Sequence, residues 1–103
     1  MIDLEYYHNL FNALPDEQKD LFNTCFNLQN AYDKCGSGYA YQQTLKKISR
    51  LSGISFDVLD KAFLDTYQGT DYNLEWLKKA GYNVPQFMSD WKEAVRKFWF
   101  GGR

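Results

Sequence analysis

His8 is the chain's one histidine, and Asp3 and Glu5 precede it by about a turn, a grouping in which an imidazole can serve as a general base. No serine or cysteine nucleophile is set beside it by any recognisable motif, so the ordinary expectation is a solvated histidine. The two cysteines, Cys25 and Cys35, stand ten apart with His8 far upstream. A zinc site takes about four ligands, mostly in close pairs, and this spacing does not supply them. The expectation is two free thiols, Cys25 buried on a helix and Cys35 near a helix end, with a disulfide only in an oxidising compartment. Asp57, Asp60 and Asp65 offer carboxylates for acid–base work, but an acidic, solvated helix face is the commoner reason for such a set. Gly36, Ser37 and Gly38 precede Tyr39 without the strand or the GxxxxGK[ST] spacing of a phosphate loop, and read as a linker. No catalytic site, metal or cofactor is therefore predicted.

Chemistry of a different kind sits in residues 44–63, TLKKISRLSGISFDVLDKAF. Two helices joined by a tight turn need an apolar residue and then a small one in the first helix, a glycine in the turn and an apolar residue after it. The second helix then needs buried positions about three apart. Ile48, Ser49, Gly53, Ile54, Leu59 and Ala62 fill those roles. Glycine adopts positive φ without a Cβ clash, and Ser55 suits the N-cap of the second helix.

This segment resembles the helix-turn-helix of bacterial and phage repressors, which implies a DNA-contacting protein whose second helix enters the major groove. In that arrangement the groove-facing side presents Ser55, Phe56, Asp57, Asp60 and Lys61. Carboxylates there oppose phosphate, and only a cytosine amino group is a good base partner for them. Lys46, Lys47 and Arg50 lie on the first helix, which in the family crosses the backbone, so phosphate contact is the expected mode. Departures from the family are Ser49 where alanine is usual and Ser52 before the glycine. Two helices meeting at a glycine turn within a helical core satisfy the same pattern, as does a motif reused to bind protein. The stretch with its continuation FLDTYQG also resembles part of the helical DNA-binding domain of ATP-dependent DNA ligases. No adenylation motif accompanies it, so that likeness implies a detached binding module.

The tail RKFWFGGR gives a second candidate surface. Phe98 and Trp99 fit a buried helix face, whereas Phe100 falls among Lys92, Glu93, Arg96 and Lys97 on the polar one. Phe100 with Arg96, Lys97 and Arg103 would anchor a partner protein or stack on a base; alternatively, the helix unwinds before Gly101 and Phe100 folds onto the core.

The elements that must position these groups are all helices. Helical spacing and start and stop signals predict segments at about 3–13, with Asp3 as cap, and from Pro15 at a first helical position to the Gly36 break. Further segments are predicted at about 39–51 and 56–67, then a short helix ending at Gly81 with Thr70 or Asp71 as cap, and a last helix opening at Pro85. Leu4, Tyr7, Leu10, Phe11 and Leu14 form the first apolar face; Leu21, Phe22, Cys25, Phe26, Leu28 and Tyr32 form the second. Phe87, Met88, Trp91, Val95, Phe98 and Trp99 form the last. No alternating stretch bounded by hairpin turns appears, so no sheet is expected. The predicted fold is all-α, one domain over residues 1–103, a compact bundle of five to six helices with a helix-turn-helix-like corner. Its 103 residues suit a single core, and 18% aromatic content makes that core rich in ring surface.

A net charge of −1 attracts no polyanion by itself, but the sign alternates along the chain. Residues 1–35 carry −4 and residues 57–75 carry −4, while residues 36–56 carry +3 and residues 76–103 carry +4. One face of the molecule can thus be basic. No membrane span is present, and the start MIDLEYYHNLF lacks the regions of a signal peptide, which predicts a cytoplasmic protein. The leading expectation is a small non-enzymatic regulator of the size seen in phage, plasmid or bacterial control proteins, with DNA as partner. The alternative is an interaction module or inhibitor with a protein partner, using the C-terminal helix or the acidic fourth helix. The sequence gives no oligomeric state.

Overall fold

Asp3 starts the first helix by accepting a hydrogen bond from the Tyr6 amide at 3.0 Å, which satisfies one of the donors that a helix start leaves open. Helix α1 then runs Leu4–Asn12. In the computed structural model, which describes residues 3–66 and 74–100 and side chains as far as Ala94 in the last helix, five more helices follow. They are α2 (Asp16–Cys35), α3 (Tyr39–Ser52), α4 (Phe56–Thr66), α5 (Glu75–Lys79) and α6 (Gln86–Phe100). The described residues contain no strand, and the fold is all-α as the periodicity required.

Helix α2 is the spine. Pro15 stands one place before its first residue rather than inside it: ψ is 147°, so its carbonyl accepts from Lys19 at 3.1 Å while its own backbone is still extended. Leu21, Phe22, Cys25 and Leu28 recur on one side of α2 and are buried against α3, whose own stripe is Tyr41, Leu45 and Ile48. Leu59, Ala62 and Phe63 of α4 and Trp76 and Leu77 of α5 close the other side of the core. Its centre is aromatic. Phe63 meets Tyr32, Tyr41 and Trp76 with ring centroids 5.2, 5.5 and 5.3 Å away, distances at which tilted and edge-on rings attract.

The ends of the chain pack differently. Helical spacing sets Leu4, Tyr7, Leu10, Phe11 and Leu14 on one apolar face; Phe11 and Leu14 pack partly buried against the core, whereas no residue of α1 is fully buried and Leu4 is exposed. The helix rests on α6, where Trp91 receives Tyr7, His8 and Phe11 as ring neighbours. On α6 itself Met88 is buried, Phe87 and Trp91 are half-buried, and the expected burial of Val95, Phe98 and Trp99 concerns side chains outside the described residues.

Among the described residues with positive φ, Gly53 and Leu74 adopt it for different reasons. Gly53 ends α3 at φ 76°, with its N–H on the Ser49 carbonyl at 3.0 Å. A Cβ there would meet nothing within 4 Å, so the backbone conformation alone asks for glycine. Gly53→Ala is expected to lower stability by about 1 kcal/mol and Gly53→Asn by less, because asparagine tolerates that region; urea titrations of the three proteins would measure it. Leu74 is the non-glycine case, at φ 60° and fully buried. It stands immediately before α5 as its N-cap residue; Thr70 and Asp71, the caps expected from the sequence, lie outside the described residues. The burial of its side chain offsets the backbone strain of about 1 to 2 kcal/mol.

Candidate nucleic-acid interface

The junction between α3 and α4 is fixed by serine hydroxyls. Ser49 donates to the Ile54 carbonyl at 2.6 Å, and Ser52 accepts from the Ile54 amide at 3.2 Å. Ser55 accepts from the Val58 amide at 3.3 Å, so it caps α4. Ile48, Leu59 and Ala62 are buried and Ile54 is partly so, which is where the turn pattern placed them. Hydroxyls at positions 49 and 52, departures from the repressor pattern in the sequence, are thus structural: they hold both polar groups of Ile54.

The residues expected to touch phosphate divide sharply on this frame. Lys46 and Arg50 are exposed on α3 and form no ion pair among the described residues. Lys47 is half-exposed and its ammonium lies 3.2 Å from Asp20 of α2, so its charge is already met. An exposed pair of this kind contributes no more than about 1 kcal/mol to stability, but a phosphate would have to compete with the carboxylate.

On α4 the expected groove-facing set does not assemble. Phe56 packs partly buried against the core, and Ser55 is engaged as a cap. Lys61 reaches Asp65 at 3.0 Å within its own helix. Asp60 accepts the Tyr41 hydroxyl at 2.7 Å; burial first, and then this carboxylate, push the Tyr41 phenol well above its ordinary value. Asp57, by contrast, is exposed and forms no ion pair among the described residues. Asp60 and Asp65 thus answer different partners, Tyr41 on α3 and Lys61 on α4.

Other candidates resolve plainly. His8 is exposed with its ring edge-on to Trp91 at 5.1 Å. Cys25 is buried, which pushes its thiol above the ordinary range, whereas Cys35 is exposed, and both are free thiols. Among the described residues no group of histidine, cysteine or carboxylate side chains is arranged to hold a metal ion, and no helix is long and apolar enough to cross a membrane. Arg96, Lys97 and Phe100 lie on α6 beyond the described side chains, and Arg103 lies outside the described residues altogether.

Two groups of exposed residues escape a reading of the sequence alone. Tyr39, which serves there only as a helix start, is 80% exposed at the beginning of α3. Val58 and Leu64 of α4 are about half exposed, at 47% and 45%. Spacing alone held the first signal, since positions 39, 43, 46 and 50 share one side of a helix. No protein family, curated protein or solved structure matches this chain. The class of protein that fold and surface define is an all-helical domain with exposed basic residues, Lys46 and Arg50, that form no ion pair among the described residues.

Proposed function

We propose that this chain is a small non-enzymatic regulatory protein that contacts nucleic acid through the α3–α4 unit, with Lys46 and Arg50 of α3 on the phosphate backbone. One observation carries this reading: these two cations are exposed on α3 with no ion pair among the described residues, while Lys47 and Lys61 beside them are neutralised by Asp20 and Asp65. Backbone contact gives affinity without reading sequence. The acidic, internally occupied surface of α4 supports that limit, because Ser55, Phe56 and Asp60 are each engaged within the protein.

Electrophoretic binding to random-sequence duplex at low and moderate salt tests the proposal. Lys46→Ala with Arg50→Ala is expected to weaken binding equally on all sequences and to flatten the log–log salt slope by about 0.9 for each phosphate no longer neutralised. Lys47→Ala is expected to do much less, since its carboxylate partner already holds it. An unchanged slope in the double mutant would remove α3 from the functional account.

A second reading rests on Val58 and Leu64, which flank Lys61 on the exposed side of α4. Apolar side chains in an acidic helix surface suit a protein partner better than a phosphate backbone. If the wild-type chain binds no nucleic acid at low salt, this is the surface that remains.

A further inference from the structure

The exposed side of α3 carries more than two cations. At about 100° per residue, Tyr39, Gln43, Lys46 and Arg50 fall within a sector of about 60° and extend over roughly 16 Å of helix. All four are exposed, and no acidic residue occurs between Gly36 and Phe56 to oppose a polyanion. Buried apolar surface is worth about 25 cal/mol per Å², and Tyr39, 80% exposed, forgoes most of that gain. Beside it in sequence are Gly36, Ser37 and Gly38, and a Cβ at Gly36 would meet nothing within 4 Å. By contrast Gln42, on the flank of the stripe, is tied to the Ser37 carbonyl at 3.2 Å.

We infer that this stripe is a binding track for single-stranded nucleic acid, with the Tyr39 ring stacking on an unpaired base and Lys46 and Arg50 on the phosphates that follow. The inference rests on the nucleic-acid reading above and narrows it. A tyrosine ring needs the face of a base, which in a duplex is covered by its neighbours along the stack. An unpaired strand presents it. Stacking on aromatic side chains with cations along the backbone is how single strands are held without sequence readout. Gln43, between ring and cations, has an amide able to donate to a sugar or phosphate oxygen. The alternative for duplex, insertion of α4 into the major groove, brings Asp57 and Asp65 toward phosphates.

The test is fluorescence anisotropy at low salt with three labelled probes of mixed sequence and equal length: single-stranded DNA, single-stranded RNA and duplex DNA. Wild-type protein is expected to bind one or both single strands more tightly than duplex, and the two single-strand arms show whether the sugar matters. Tyr39→Ala is expected to lower single-strand affinity by about 5- to 150-fold, the range for removing one stacking partner, and to change duplex affinity less than about twofold. Tyr39→Phe keeps the ring and is expected to keep the affinity. The side chain is exposed, so Tyr39→Ala should melt with the wild type, and melting curves check that. A preference for duplex, or equal affinity of Tyr39→Ala and wild type for single strands, overturns the track. If Lys46→Ala with Arg50→Ala still flattens the salt slope on duplex in that case, only the track fails. Absence of binding to all three probes at low salt overturns both and leaves a protein partner.

Discussion

Truncation of Phe63 to alanine is expected to lower unfolding free energy by about 3 to 5 kcal/mol, the range for deleting a large ring from a packed core. Phe63 has no exposed surface and is the common neighbour of Tyr32, Tyr41 and Trp76, which come from α2, α3 and α5. Its removal therefore opens a hole that four helices border. Relaxation is restricted because Tyr41 is also held by its hydroxyl on Asp60. At about 4 to 8 °C per kcal/mol for a domain near this size, the melting temperature should fall by some 12 to 40 °C. Circular dichroism melts of the variant against wild type measure this, with Phe63→Leu as the volume-sparing comparison. A loss under about 1 kcal/mol for the alanine variant would show that the aromatic cluster is not the centre of stability.

The helices themselves were largely legible in the sequence, because their signals are local. Gly36 and Gly53 end helices with positive φ, Asp3 and Ser55 begin them, and the apolar positions of α2 to α4 recur at helical spacing. What the sequence hides is non-local. That Leu4 is exposed depends on how α1 rests on α6, and that Lys47 is neutralised depends on Asp20, which is 27 residues away. Phe56 shows the same limit. Its position at the start of the second helix suggested a group facing a ligand, but the hydrophobic gain from packing on the core is larger than anything an empty surface offers. Tyr39, placed by the sequence only as a helix start, shows the same limit: its 80% exposure is visible only in the structure.

The proposed function and stability draw on different faces of α3. The inner face, Tyr41, Leu45 and Ile48, is fully occupied by the core, so its substitution is felt as unfolding. The outer face, at Lys46 and Arg50, has no ion pair to lose among the described residues, so its substitution should be felt only in binding. Effects at sites with no shared partners add, and variants of the two faces should therefore combine without coupling.

Gln29→Met is expected to stabilise the protein by about 1 to 3 kcal/mol, the cost of burying an amide without hydrogen bonds. Gln29 has no exposed surface, and neither its amide nitrogen nor its amide oxygen has a partner among the described residues. The neighbouring buried polar residue of α2 behaves otherwise: Thr24 returns its hydroxyl to the Asp20 carbonyl at 2.7 Å and is satisfied. Methionine keeps nearly the length and volume of glutamine and removes both polar groups together, so no orphaned partner is left behind. The sign is what distinguishes this site from the rest of the core, where every substitution of a packed apolar residue should destabilise. Gln29→Ala separates the two contributions, since it removes the amide but leaves a hole, and it should fall well below Gln29→Met in stability. Chemical denaturation with a common slope for the three proteins gives the comparison. A loss of about 1 kcal/mol or more in Gln29→Met would mean that the amide is satisfied after all, by an internal water or by a group outside the described residues.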